Sequence, residues 1–345
     1  MFDGAPRKLY SGLVPIPSPG DGEWLVRVVA MTICGSDRHT WEGRRQGATP
    51  TVLGHEMIGE IVVRGRGCPS SDCLGRRLDV GSRVTWAIVA ACGACSPCRG
   101  EIPQKCDSGV KYGHERAIGR RVLTGGLAEY CLLAPGTSLV VLDEDLPISV
   151  ACPANCATAT VAAAIAACGE LHGKRLGIVG AGMLGLTACA IAEASGARVI
   201  VAEPDAGRRR RASSFGASAA LDPTAWTAEM AGSLDAVIEV SGTNGGFLAA
   251  LPTLRVGGRM ILVGAVAPSD DVAVSLEGIV RRCLTIRGVH NYGPGDLVAA
   301  VQFLERNHRR YPFSELVSEW FPLAEVDAAF AAAADPAHVR VGVKP

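Results

Sequence analysis

The chain has no excess of charge of either sign: Lys plus Arg and Asp plus Glu each number 34, for a formal net charge of zero. It also lacks a basic stripe interleaved with aromatics, so nothing in this balance points to nucleic acid. Long apolar runs are missing too. The longest, residues 157–168, is too short and too rich in alanine to span a bilayer. The opening Met-Phe-Asp-Gly-Ala-Pro has no basic region followed by an apolar stretch, so no secretory signal is expected. There is no internal repeat and no stretch with the composition of a disordered tail. What remains, at 345 residues and 48% hydrophobic, is a chain able to bury a large core, with two domains the default.

Cysteine is plentiful instead, with 13 in all, an odd number. Without a secretory signal, metal ligands and buried free thiols in a reducing cytoplasm are expected rather than disulfides. Four of the cysteines, Cys92, Cys95, Cys98 and Cys106, sit in one short stretch that reads C-G-A-C-S-P-C before the fourth. Two-residue gaps let consecutive thiolates turn back onto one tetrahedral ion, with Zn–S bonds of about 2.3 Å. Four soft ligands close the coordination shell, so this site is expected to be structural. Cys68, Cys73, Cys131, Cys168, Cys189 and Cys283 show no partner pattern and read as packing residues or free thiols.

The first half is punctuated by Gly and Pro between short β-branched runs, at 25–31, 57–63 and 83–90, which predicts an irregular, mostly antiparallel β-domain. The texture changes near Ala151. Strand-like and helix-like segments then alternate: strands at 175–179, 198–202, 236–240, 260–263 and 284–289, helices at 183–195 and 205–215. Fully apolar strands alternating with helices predict a doubly wound parallel sheet. A helix at 296–304 and a mixed tail follow, and the tail is expected to rejoin the first domain.

Gly180-Ala181-Gly182-Met183-Leu184-Gly185 follows the strand at 175–179 and opens a helix, the context a dinucleotide loop requires. Gly180 suits the tight turn, Gly182 the approach of backbone amides to a pyrophosphate, and Gly185 close helix–sheet packing. Glu203 ends the next strand, where a carboxylate would accept both adenosine ribose hydroxyls and repel a 2′-phosphate. That favours NAD over NADP. The run Arg208 to Arg211 is read as a solvated helix face, with Arg208 the candidate for holding a phosphate if that reading fails.

Cys34 lies in Cys34-Gly35-Ser36-Asp37-Arg38-His39, His55 in Gly54-His55-Glu56, and Cys156 shortly before the glycine loop. Together with the four-cysteine lobe and Gly125-Gly126-Leu-Ala-Glu-Tyr130, this arrangement resembles the zinc-dependent medium-chain alcohol dehydrogenases over nearly the whole chain. The resemblance implies a GroES-like, mostly β catalytic domain (1–156 and 291–345) around a Rossmann domain (157–290), with a catalytic zinc in the cleft between them. Cys34, His55 and Cys156 fall at the three protein ligands of that zinc, with Cys152 close by as the rival for the third. Two zincs per chain are then expected, one catalytic and one structural, with a fourth position at the catalytic site open to an alcohol oxygen.

The same resemblance places Glu56 as a carboxylate able to approach the metal, Asp37 as the acceptor behind the histidine ligand, and Ser36 as the hydroxyl that takes the alcohol proton. His39 would pass that proton to solvent through the cofactor ribose, and Thr160 would line the nicotinamide. Gly35 departs from members with a cation beside the cysteine, which leaves the pyrophosphate more dependent on the glycine loop.

Several local strings, including His39-Thr-Trp-Glu-Gly-Arg44 and Lys111-Tyr-Gly-His-Glu115, are similar to a subgroup associated with phosphonate metabolism. That implies a hydroxyalkyl phosphonate and its aldehyde or ketone, such as phosphonoacetaldehyde, as substrate. Arg44, Lys111, His114, Arg116 and His290 are the cations available to meet it, foremost Lys111, Arg116 and His290. The alternative is a polyol, sugar or aminocyclitol. A zinc-independent quinone or enoyl reductase, or a non-enzymatic relative, would share the fold without needing Cys34, His55 and Cys156. The family implies a homodimer or homotetramer, with no nucleic-acid or membrane partner.

Overall fold

The strand Trp24–Thr32 is the hub of the first half. It pairs antiparallel with Glu56–Arg64, Thr32 facing Glu56, and with the last strand of the chain, Arg340–Lys344, Thr32 facing Gly342. This register brings three points of the chain to one end of the sheet: the exit towards Cys34, the entry from His55, and Arg340. The computed structural model describes all 345 residues and divides them into two units, 1–159 with 291–309 and 313–345, and 160–290 with 310–312.

The first unit holds a seven-stranded sheet. Its order runs Val317–Pro322, Arg340–Lys344, Trp24–Thr32, Glu56–Arg64, Arg83–Trp86, Leu139–Val141, with Tyr130–Leu133 also against Trp24–Thr32. All pairs are antiparallel except the two C-terminal strands with each other. Its core gathers Trp24, Met31, Met57, Trp86, Tyr112 and Phe330. The tail, 313–345, belongs to this unit. The stretch read as one strand over 83–90 is two. Ala87 N–H bonds Ser138 O and Ile88 N–H bonds the Tyr292 hydroxyl, so the chain leaves the large sheet there. Val89–Ala90 then forms a separate two-stranded ladder with Val110–Lys111.

The second unit is a six-stranded, wholly parallel sheet. Counted along this unit, its strands Arg175–Val179, Arg198–Ala202, Ala219–Leu221, Leu234–Glu239, Leu254–Leu262 and Thr285–Gly288 lie in the order 3-2-1-4-5-6. That is the doubly wound dinucleotide-binding arrangement, with its switch point beside the first strand. The chain enters this unit three residues later than 157, within the helix Ala157–Cys168, and 310–312 belong to it. Arg310 and Tyr311 are held by Glu193, whose carboxylate takes Arg310 Nη2 at 2.6 and 2.7 Å and the Tyr311 hydroxyl. No single helix is long and apolar enough to cross a membrane.

Candidate active site

The ladder of Val89–Ala90 with Val110–Lys111 forms the base from which the four-cysteine lobe springs. Cys95 caps the short helix Ser96–Arg99, and Cys106 ends the turn Pro103–Lys105. These tight elements fold the spacing back on itself, so the four Sγ atoms lie within 4.8 Å of one another. Cys95 Sγ stands 3.4 Å from Cys98 Sγ and 3.8 Å from Cys106 Sγ. The edge of a ZnS4 tetrahedron with ~2.3 Å bonds is ~3.8 Å, so the donor set fits zinc. The Cys92 amide donates to Cys106 Sγ and the Ala94 amide to Cys92 Sγ. Backbone donors, Ala94 foremost, bring the Cys92 thiol down to about 6, which favours the thiolate a metal needs.

The second cluster joins Cys34, His55 and Cys156, with one ligand atom from each again within 4.8 Å of the others. Cys34 is the N-cap of the helix Gly35–Trp41. Asp37 at the third helical position reaches back, its Oδ2 accepting the Cys34 amide at 3.1 Å. Its Oδ1 accepts the Gly54 amide at 3.2 Å and lies 3.0 Å from His55 Nδ1. One buried carboxylate thus spans the turns that carry Cys34 and His55. With Nδ1 donating to Asp37, the His55 Nε2 lone pair is left for a metal. Gly54 must be glycine: its φ is +95°, and a Cβ would fall 2.6 Å from Met31 Sδ. Ser36 Oγ borders the set, 3.3 Å from His55 Nε2.

Cys156 closes the turn Cys152–Asn155. Cys156, not Cys152, joins the cluster; the Cys152 thiol is fully buried in the core. The preceding Asn155 explains the aim. Its Nδ2 donates to His55 O and Trp86 O, both at 3.0 Å, and its Oδ1 accepts the Met57 amide at 3.2 Å. Tyr292 donates its hydroxyl to Asn155 O. Asn155 and Tyr292 are visible in the sequence only as neighbours of a ligand and of a candidate histidine; their stitching role has no local signature.

Arg340 is the larger omission. Its Nε donates to Glu56 Oε2 at 2.9 Å and its Nη2 to Glu56 Oε1 at 3.1 Å, with Nη2 also 3.7 Å from Cys34 Sγ. Thr32 Oγ1 adds a bond to Glu56 Oε2 at 2.8 Å. Glu56, beside His55 of this cluster, therefore has both oxygens engaged. Burial pushes its carboxyl up to about 7 against the opposing pull of Arg340. The Cys34 thiol is held well below its ordinary value, chiefly by a hydrogen bond with Cys156, with Arg340 helping against burial.

The remaining candidates are scattered. His39 sits in the last turn of the Cys34 helix, its Nδ1 4.0 Å from Glu42 Oε2; burial, then Arg44 and Arg38, lowers its pKa. Arg44 is paired with Glu42. Arg116 is exposed and spends its Nε on Thr49 O at 2.9 Å, and His290 is exposed in the second unit. Lys111 alone of the three foremost substrate candidates is drawn inward, its Nζ bonding Asn291 Oδ1 at 3.1 Å. His114 packs against His55 with ring centroids 5.2 Å apart and the rings tilted by 32°.

In the second unit Gly180 has φ +103°, and a Cβ there would meet Ser241 N at 3.1 Å. A Cβ on Gly185 would lie 1.9 Å from Gly180 O, which enforces glycine where helix meets sheet. Beside Gly182 a Cβ would find nothing within 4 Å. No side chain caps the helix Met183–Ala194, so its first amides, from Met183 and Leu184 on, are open to a phosphate. Glu203 accepts the Ala181 amide at 2.8 Å and the Asp205 amide at 3.0 Å, which fixes its carboxylate against the loop. Arg209 is spent on the Glu203 and Pro204 carbonyls, and Arg208 stands half-buried in the first turn of its helix. Thr160 is buried at the start of this unit. This cradle fits a dinucleotide.

Residues 20–144 match the alcohol dehydrogenase GroES-like domain and residues 184–306 the zinc-binding dehydrogenase family. The L-threonine 3-dehydrogenase of Streptomyces avermitilis is 32% identical over 289 residues, 80% of this chain and 79% of that protein. The L-galactonate-5-dehydrogenase of Escherichia coli K12 is 29% identical over 331 residues, 91% of this chain and 92% of that protein. An alcohol dehydrogenase structure from Thermotoga maritima superposes with a TM-score of 0.88 at 26% identity, covering 97% of this chain and 94% of that one. With two cysteine-based metal clusters and a glycine loop on a doubly wound sheet already in place, the chain belongs to the zinc-dependent medium-chain alcohol dehydrogenase family and is an oxidoreductase.

Proposed function

We propose that this dehydrogenase oxidises a small, polar, hydroxyl-bearing substrate with NAD, using Cys34, His55 and Cys156 to hold the catalytic zinc and Cys92, Cys95, Cys98 and Cys106 a structural one. The observation that carries the reading is the convergence of Cys34, His55 and Cys156, with Ser36 Oγ 3.3 Å from His55 Nε2. Zinc at that set supplies Lewis acidity towards the substrate oxygen, and the nicotinamide supplies the hydride acceptor.

The chain's own groups do the rest. Asp37 holds the His55 tautomer and orientation, and Asn155 aims Cys156. Arg340 and Thr32 keep the Glu56 carboxylate neutralised and away from the ligand set. Oxidation takes a hydride from carbon and a proton from oxygen; Ser36 Oγ accepts that proton, and His39 passes it to solvent. Glu203 binds the adenosine ribose and repels a 2′-phosphate, which favours NAD, and Thr160 supports the nicotinamide.

The phosphonate reading and the polyol reading share a small alcohol. The two relatives described above act on L-galactonate and L-threonine, both hydroxylated carboxylates, which supports a multiply substituted polar alcohol. A homodimer or homotetramer is supported by the edge strand Thr285–Gly288, exposed along its length near exposed Leu276 and Val280. An odd count of 13 cysteines, six of them placed on zinc, supports a reducing, cytoplasmic setting. The test is metal analysis of the purified chain with NAD- and NADP-linked oxidation of a panel of polyols, hydroxy acids and hydroxyalkyl phosphonates. Two zincs and NAD-linked turnover are expected; a chain with one zinc and no alcohol oxidation overturns the reading.

A further inference from the structure

We propose that Lys111 and Arg45, with His114 between them and the zinc ligands, form an anion-binding site beside Cys34, His55 and Cys156, and that the substrate carries a carboxylate or phosphonate near its reacting hydroxyl. This deepens the dehydrogenase reading above and rests on it.

Lys111 is a half-buried cation without a counter-charge. The only polar partner of its Nζ is the neutral Asn291 Oδ1. The nearest carboxylate in sequence, Glu115, is spent on the Lys111 amide at 2.9 Å and on Arg121 Nη1 at 2.7 Å. Arg45 is likewise unpaired: its backbone amide bonds His39 O, and its guanidinium has no ion pair. Its neighbours Arg38 and Arg44 both turn to Glu42. Gathering cations with nothing between them raises the free energy of the empty site, and an anion bound there relieves it. Burial, with Arg45 and Lys105 adding like-charge repulsion, brings the Lys111 amine down to about 8.

The place is as informative as the charge. His114 accompanies Lys111 in one turn, its amide bonding Lys111 O at 3.1 Å, and its ring lies tilted at 32° against that of His55, centroids 5.2 Å apart. Asn291, which holds Lys111, precedes Tyr292, whose hydroxyl bonds the carbonyl of Asn155 next to Cys156. All these residues belong to the first unit. A small acid held by Lys111 and Arg45 therefore presents its hydroxyl towards the ligand set.

The test compares kcat/KM of the zinc-loaded enzyme for L-galactonate, 2-hydroxyethylphosphonate and neutral galactitol, in the unaltered chain and in Lys111→Met, Lys111→Arg and Arg45→Gln. Direct binding of each compound by calorimetry is measured alongside. The unaltered enzyme should bind and select an anionic compound. Lys111→Met should cut the anionic-to-neutral selectivity roughly 10- to 100-fold, Arg45→Gln less, and Lys111→Arg should recover part of it. Whichever anion shows the larger loss identifies the head group. Anion binding that disappears in Lys111→Met without any turnover would uphold this site while the dehydrogenase reading fails. Alcohol oxidation with no anion preference, or with equal losses on all three compounds, overturns the site and leaves the dehydrogenase reading standing. Unchanged melting of Arg45→Gln separates a binding defect from a folding one.

Discussion

Arg340 and Glu56 form a buried, two-bond ion pair across almost the whole chain, Nε to Oε2 at 2.9 Å and Nη2 to Oε1 at 3.1 Å. The pair exists because the antiparallel register brings the start of the last strand to the turn that carries His55. Arg340 also touches the Cys34 sulfur, so one guanidinium balances a carboxylate and a thiolate that would otherwise repel each other.

Removing one member strands the other charge. Arg340→Met should destabilise the protein by about 3–5 kcal/mol and weaken the zinc held by Cys34. Glu56→Gln should cost less, because the amide still accepts from Arg340. A double variant, Arg340→Met with Glu56→Gln, should recover much of the stability lost in Arg340→Met. Denaturant melts of the four proteins form a cycle, and simple additivity would show that the pair is not coupled.

The two metal clusters should separate cleanly. Cys156→Ala should leave one zinc per chain and abolish turnover with little loss of stability. Cys95→Ser should also lose one zinc but lower the melting temperature, roughly by 5 °C or more, because structural zinc binding contributes to folding. Lys111 sits on the ladder at the base of that lobe, so Cys95→Ser should also weaken anionic substrates first. Metal analysis, thermal melts and kinetics decide it; full zinc content in Cys156→Ala would reassign the third ligand.

Glu203 is fixed against the loop by the Ala181 amide, so its charge cannot swing away from a 2′-phosphate. The unaltered enzyme should prefer NAD over NADP by on the order of 2–4 kcal/mol. Glu203→Ala should narrow the gap in the ratio of kcat/KM for the two cofactors. Equal use of both by the unaltered enzyme would transfer the role to the arginines of the following helix.

The anion site carries a pH signature. Burial first, then the charges of Arg45 and Lys105, push the Lys111 proton off against the opposing pull of Cys156, with neutral Asn291 on its Nζ. Its amine is charged below about 8 and neutral above. The anionic-to-neutral ratio of kcat/KM should therefore be flat at lower pH and fall as pH rises through that value. The ratio cancels titrations common to both substrates, and Lys111→Arg should flatten the fall.

What the sequence by itself determined is what short spacing can encode. The gaps among Cys92, Cys95, Cys98 and Cys106 set the turns that bring four sulfurs together. Asp37, three residues after Cys34, caps the same helix that bears it, and Gly185 is imposed by the Gly180 carbonyl within one strand–turn–helix unit. The alternation of strand and helix after Ala151 identifies the parallel sheet, because buried strands must be continuously apolar. Tertiary structure decided the rest. Arg340 finds Glu56, and Asn155 finds His55 and Trp86, only through sheet register, which leaves no local pattern. The same holds for the cations: Arg44, Arg45, Lys111 and Arg116 look alike in the sequence, and only the placement of Glu42, Glu115 and Thr49 separates the paired from the unpaired. Charge is written residue by residue, but neutralisation is a property of neighbours in space.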